Sequence, residues 1–366
     1  MSCDYVQLAN PGVQSLQPYQ AGKPMDELER ELGIREIVKL ASNENPLGPS
    51  PKVISAIQQA LPELTRYPDS NGFQLKHALS QRFSLSSDQI TLGNGSNDLL
   101  EIVARTFLRE GTEALYSQYA FIVYPLVTKA AGAKGIAVPA KAYGHDLTAI
   151  ADAINDKTRV IFLANPNNPT GTCFSKAEFE AFMSRVPKSI IVVLDEAYTE
   201  FAEDTDTPNG LDYLEECSNL VVTRTFSKAY GLAALRVGFA VANSQITNLL
   251  NRVRQPFNVS SLAQAAAVTA LADVDYLQQT VQVNKEGYQQ LVDGFNALNL
   301  EFIPSAANFI TLDMKQDAQP IYQALLHQGV IVRPLAVYGL PNHLRISIGT
   351  QVENQQFLAA LEKVCL

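Results

Sequence analysis

Thr225-Phe226-Ser227-Lys228 and, eight residues after the lysine, Arg236 bring an amine, two hydroxyls and a guanidinium within twelve residues. Apolar runs lead in (Leu220-Val221-Val222) and out (Val237 to Val241), so Lys228 is expected on a turn between two buried strands. A lysine held against apolar structure loses basicity through desolvation and becomes a nucleophile. Arg236 can grip an anion through two parallel hydrogen bonds. Together they suit a cofactor that carries both a carbonyl and a phosphate, as pyridoxal 5′-phosphate (PLP) does. Taken alone, the same residues also describe a solvated loop lysine.

Other polar clusters end apolar runs. Asp195-Glu196-Ala197-Tyr198 follows Ile190 to Leu194, and a carboxylate there faces a cleft or caps a helix. Asn165-Pro166-Asn167-Asn168-Pro169-Thr170-Gly171-Thr172 follows Val160 to Ala164 and reads as a stiff, specific turn. Gly93-Asn94-Gly95-Ser96-Asn97 follows Gln89 to Leu92 and precedes a helix from Asp98 to Leu108, whose free N–H groups could hold an anion. Asp98 occupies the third glycine position of G-x-G-x-x-G, which weakens a dinucleotide reading. Aromatic residues at Tyr116, Tyr119 and Phe121 are core or a platform for a flat ring.

These clusters need a scaffold. Strands followed by helices imply a mostly parallel α/β sheet, and right-handed crossovers bring the loops at 93–98, 165–172, 195–198 and 223–228 to one edge. Ala307 to Leu312, Val330 to Arg333 and His343 to Gly349 read as further strands, alternating with helices at 319–329 and 354–364, which make a compact α+β unit. The expected division is 1–48 as an N-terminal segment joining the small domain, 49–280 as the large domain and 281–366 as the small C-terminal domain.

Composition sets limits. The chain has 366 residues, 46% of them hydrophobic, which allows a large core and two domains. A net charge of −9 disfavours nucleic acid or an anionic membrane as partner. The cysteines (Cys3, Cys173, Cys217, Cys365) and histidines (His77, His145, His327, His343) are scattered, so no metal site is expected and reduced thiols in the cytoplasm are the simplest account. The opening Met-Ser-Cys-Asp-Tyr-Val does not read as a signal peptide, and no apolar run approaches the roughly 18 residues of a membrane span.

Asn168-Pro169-Thr170-Gly171, Asp195-x-x-Tyr198 and Thr225-x-Ser227-Lys228-(x7)-Arg236 resemble, in order and spacing, the fold-type I PLP-dependent aminotransferases. Leu40 to Gly48, Arg66-Tyr67-Pro68-Asp69, Val332 to Leu335, Tyr338 to Pro341 and Leu344 to Thr350 extend the likeness from about residue 35 to residue 350. The resemblance implies a homodimeric transaminase with ping-pong kinetics, acting on a phosphorylated amino alcohol and on glutamate or 2-oxoglutarate. It implies that Lys228 binds PLP covalently and shuttles the substrate proton. Asp195 would pair with the ring nitrogen, Tyr198 and Asn168 with the 3′-oxygen. Thr225, Ser227, Arg236 and the backbone of Ser96 and Asn97 would hold the 5′-phosphate, and Tyr67 would reach the phosphate of the neighbouring subunit. Arg333 and Arg345 would bind anionic groups of the substrate, and Asn45 is a further candidate for substrate contact. The family's Pro-Thr-Tyr departs here to Tyr119-Ala120-Phe121, making Phe121 the expected stacking ring and Tyr119 the fallback. An aromatic aminotransferase, a PLP decarboxylase and a non-catalytic PLP-binding sensor share the same cofactor grip; no basic DNA-binding extension precedes residue 35.

Overall fold

The computed structural model describes residues 3–18 and 22–365. Met1 and Ser2, part of the N-terminal reading above, lie outside the described residues. Two sheets and a short strand pair organise the chain. Strand β1 (Val38–Lys39) belongs to the pair. Strands β2 (Ile90–Gly93), β3 (Glu113–Ser117), β4 (Lys134–Val138), β5 (Thr158–Ala164), β6 (Ile191–Asp195), β7 (Leu220–Thr225) and β8 (Gly238–Ala242) form a seven-stranded sheet in the order β2-β8-β7-β6-β5-β3-β4. Pairings from β4 through β3, β5 and β6 to β7 are parallel, while β8 runs antiparallel to both its neighbours.

The sheet is covered on both faces, and the Val160 to Ala164 run of β5 shows why it is continuously apolar. Ile161 and Leu163 enter one core with Leu75, Phe179 and Phe182. Val160, Phe162 and Ala164 enter the opposite core with Leu99, Val103 and Tyr124. Side chains alternate faces with period two, so a strand buried on both sides presents apolar residues to both cores. Each such aliphatic or aromatic side chain, fully buried, contributes about 1.5–3 kcal/mol.

The C-terminal part holds β9 (Glu301–Ile303), β10 (Phe309–Asp313), β11 (Val330–Ile331), β12 (Arg333–Leu335) and β13 (Leu340–Ser347). An antiparallel sheet orders them β12-β13-β10-β9, and β11 instead pairs in parallel with β1. The run from Val330 to Arg333, expected as one strand, thus divides between two sheets. The N-terminal segment is stitched in by Leu40 N–H donating to the Ile331 carbonyl at 2.8 Å and Ser347 N–H donating to the Leu40 carbonyl at 2.8 Å. Val38 and Leu40 share a core with Phe295, Ile310, Ile346 and Phe357.

One helix, Val274–Ala297, runs without interruption through residue 280, where the sequence places a boundary. Near its start Tyr276 donates to the Leu47 and Gly48 carbonyls; near its end Leu291 and Phe295 pack in the C-terminal core. The change from one core to the other falls inside a helix rather than in a linker.

Candidate active site

The carboxyl ends of β5, β6 and β7 and the turn after β2 open on one side of the large sheet. Lys228, Asp195, Asn168, Tyr198, Thr225, Ser227, Arg236, Ser96, Asn97 and Phe121 line a single cavity there, which the C-terminal sheet closes with Arg333 and Arg345.

Lys228 follows β7 and is partly buried. Its Nζ donates to the Ser42 carbonyl at 3.0 Å. Burial pulls its pKa down to about 7, and the positive charge of Arg345 and Arg236 adds to the effect while Glu44 opposes it. Near neutrality a large share of this amine is unprotonated and nucleophilic.

Asp195 ends β6 and is 4% exposed. Tyr124 donates its hydroxyl to Oδ2 at 2.9 Å, and Thr223 donates to Oδ1 at 3.1 Å. Burial nevertheless pushes the carboxyl up to about 6, with the two hydroxyls pulling it back. Such a buried carboxylate calls for a cationic partner.

Tyr198 accepts from Asn43 Nδ2 at 2.9 Å and Asn168 Nδ2 at 3.2 Å. The amide orientations are fixed by their other ends: Asn168 Oδ1 accepts from Arg345, and Asn43 Oδ1 accepts from Ser347. With both lone pairs taken by donors, the phenol has only its proton to offer the cavity. Burial holds its pKa up at about 12, so that proton stays on.

The anion cradle stands opposite. Gly95, at φ +83°, precedes the Ser96–Phe107 helix, whose first N–H groups face the cavity. A Cβ on Gly95 would lie 2.5 Å from the Arg236 guanidinium, so only glycine lets that side chain approach. Arg236 donates to Ser227 Oγ at 3.3 Å and to the Ala233 carbonyl at 2.9 Å. Thr225 Oγ1 accepts from Ser227 N–H at 3.1 Å, which leaves its own proton for a ligand.

Arg345 on β13 donates to Asn168 Oδ1 at 2.5 Å and to the Ala41 carbonyl at 3.0 Å, and sits over the Phe309 ring at 5.2 Å. Its buried Nε has no partner among the described residues. The 165–172 turn is gripped from the same side. Thr311 donates to the Pro169 carbonyl at 2.6 Å, and Gly171, at φ +79°, sits where a Cβ would meet Ser305 Oγ at 2.1 Å.

Some expectations change. Asn45 does not line the cavity: its Nδ2 donates to the Ala229 carbonyl at 3.0 Å and Thr280 Oγ1 at 3.1 Å, and its Oδ1 accepts from Leu47 N–H at 2.9 Å. All its hydrogen-bonding capacity toward a substrate is spent on fastening chain segments. Asn43, two residues earlier and at φ +54°, takes the cavity position instead. Tyr119 turns away and packs near Tyr143, ring centres 5.9 Å apart, so of the two candidates for the stacking ring Phe121 is the one at the cavity. Tyr67 is 82% exposed and stacks on Phe257 at 4.7 Å, outside the cavity of its own chain. Sequence reasoning missed Tyr124, Thr223 and Asn43. Thr223 lies directly opposite Asp195 in the β6–β7 register, and Tyr124 one turn beyond Phe121.

The residues therefore present an amine of lowered pKa, a buried carboxylate, a phenol donor and an anion cradle around one space. An aldehyde, a ring nitrogen, a ring hydroxyl and a phosphate on one flat molecule would satisfy them all, and Arg345 adds a further positive charge at the cavity wall. The family model for aminotransferase class I and II matches residues 35–361. The chain belongs to that family. Among aminotransferases, a Pseudomonas fluorescens protein named histidinol-phosphate aminotransferase 2 is 59% identical over 366 residues, spanning 100% of this chain and 99% of its own. A Mannheimia succiniciproducens protein named histidinol-phosphate aminotransferase 1 is 57% identical over 360 residues, 98% of each chain. In three dimensions the aminotransferase aligns with histidinol-phosphate aminotransferase from Sinorhizobium meliloti, solved in complex with PLP, at a TM-score of 0.91 and 30% identity, covering 98% of this chain and 97% of that one. The family expected from the motifs is the family found.

Proposed function

We propose that this aminotransferase holds PLP in the cavity and transfers an amino group between glutamate and imidazole acetol phosphate, giving 2-oxoglutarate and histidinol phosphate. The observation that carries the reading is the concentration of cations in one small space: Lys228, Arg236, Arg333 and Arg345 all line the cavity. A cofactor phosphate takes the Arg236 cradle. That leaves Arg333 and Arg345 for anionic groups of the two substrates in turn, which suits a ping-pong cycle.

Bound PLP supplies the electron sink that stabilises negative charge at the substrate Cα. The chain does the rest. Lys228 would hold the cofactor carbonyl and, as an amine of lowered basicity, could move the proton at the substrate Cα. Asp195 offers its buried negative charge to a cationic ring nitrogen, and Tyr198 and Asn168 offer hydrogen bonds to the ring oxygen. Ser96, Asn97, Thr225, Ser227 and Arg236 would anchor the phosphate, and Phe121 would lie against the ring.

Comparing kcat/KM for histidinol phosphate, glutamate and phenylalanine tests this directly. Histidinol phosphate is expected to exceed phenylalanine by at least about 100-fold. The opposite order overturns the substrate assignment.

The reading includes a homodimer. Tyr67 and Phe73 are 82% and 72% exposed, with Phe257 43% exposed beside Tyr67, an aromatic patch that a second copy would cover. Tyr67 would then reach the partner subunit's phosphate cradle. The reading also places the enzyme in the cytoplasm, which suits its four free cysteines. It treats 49–280 as the cofactor-bearing unit, with 1–48 and 281–366 as the unit that closes over it. No helix among the described residues is long and apolar enough to cross a membrane.

A further inference from the structure

We propose that Tyr124 is a positioning residue for the reaction: its hydroxyl holds the Asp195 carboxylate as an anion for the cofactor's ring nitrogen, while its ring backs Phe121. The assignment rests on the PLP reading above.

Tyr124 is fully buried, and a buried phenol must find a hydrogen-bond partner. It finds the one carboxylate in the cavity floor, at 2.9 Å from Oδ2. The ring is fixed in two directions. It stacks on Phe162 of β5 with centres 4.9 Å apart and planes 8° from parallel. It meets Phe121 edge-on, centres 5.8 Å apart at 86°. The hydroxyl therefore sits on a rigid mount, and a rigid donor fixes the carboxylate's direction as well as its charge.

The chemistry is one-directional. Burial and the neighbouring Asp195 charge raise the Tyr124 pKa well above that of a free phenol, so the hydroxyl stays protonated and acts only as a donor toward the carboxylate. Thr223 is the other side-chain hydroxyl on Asp195, and it lies on the adjacent strand. Removing the Tyr124 hydroxyl leaves a desolvated carboxylate with one side-chain donor instead of two. Desolvation then favours its neutral form, which cannot hold a cationic ring nitrogen. Tyr124 would touch neither substrate nor cofactor; its influence passes through Asp195.

A double-mutant cycle tests this. PLP binding to the apoprotein is measured by fluorescence titration for wild type, Tyr124→Phe, Asp195→Asn and the double variant. Turnover of the loaded proteins is measured beside it. Tyr124→Phe keeps the ring packing and loses only the hydroxyl. We expect it to weaken PLP binding about tenfold and to lower kcat about tenfold with KM for glutamate changed less than twofold. In the Asp195→Asn background the same substitution should change PLP affinity less than twofold. An equal loss in both backgrounds would mean a packing role and overturn the assignment, as would no loss in the wild-type background. Failure of the wild-type protein to bind PLP at all would instead sink the proposed function.

Discussion

Lys228 and Asp195 are placed at odds with their own charges. Burial lowers the lysine to about 7 and raises the aspartate to about 6. In the apoprotein each shift has a sign that can be measured. An unfolded chain holds the Lys228 proton up to about pH 10.5 while the folded chain releases it near 7, so the unfolded state binds more protons in between and stability rises with pH across that window. Lys228→Met should remove this rise: the stability of wild type relative to the variant, from urea unfolding of apoprotein at pH 7 and pH 10, should increase at the higher pH. For Asp195 the folded chain keeps its proton longer, from about 4 to 6, so stability falls as pH rises through that interval. Asp195→Asn apoprotein should therefore be at least as stable as wild type at pH 7 while binding PLP more weakly; a clearly lower Tm would contradict the burial argument. Lys228→Ala should lose the visible absorbance of lysine-bound PLP and about a thousandfold or more in turnover. At this scale the residues legible in the sequence are those whose type is scarce for its setting, a lysine or carboxylate closing an apolar run. Asn43 and Asn45 stand two apart in one segment, and which one faces the cavity depends on a positive φ at 43 that no composition reveals.

Among the elements, the turn before the Ser96–Phe107 helix is the most constrained. Gly95→Ala would add a Cβ into the Arg236 guanidinium at a residue already in the left-handed region. We expect PLP binding to weaken roughly 10–100-fold, equivalent to about 1.4–2.8 kcal/mol, with the helix content seen by circular dichroism unchanged. Unaltered affinity would mean that Arg236 is not held by this turn. The buried strands β5, β6 and β7 were readable because burial on both faces gives each an apolar run, Val160 to Ala164, Ile191 to Leu194 and Leu220 to Val222. Strand β4, Lys-Gly-Ile-Ala-Val, was not, because it lies at the sheet edge and is half exposed, so nothing forces its composition. The reversed direction of β8 left no local trace either: Val237 to Val241 reads the same whichever way the strand runs. The division of Val330 to Arg333 between two sheets is set by pairing with Val38 and Arg345, partners about 290 residues upstream and twelve downstream.

For the whole molecule, what the sequence conveyed was convergence: loops after successive parallel strands had to meet at one edge, and topology alone made Lys228, Asp195 and Asn168 neighbours. The second wall of the cavity does not follow from that topology: Arg333 and Arg345 arrive on a separate antiparallel sheet, and only the family resemblance pointed to them. If Tyr67 serves the other subunit, mixing Lys228→Ala protein with an inactivating Tyr67 variant should restore activity, since a mixed dimer holds one complete site. Subunit exchange without recovery would show that each chain works alone. The outer half of the Val274–Ala297 helix supports that second sheet, while its root is tied to the 45–48 loop by Asn45 on Thr280 and Tyr276 on Leu47 and Gly48. At 1.5 Å per residue the helix is a lever about 36 Å long, and a tilt of about 5° at its root sweeps its tip through about 3 Å. Asn45, fastened to Thr280 at the root of this helix, thus sits at the point where any tilt of the arginine-bearing wall would pivot.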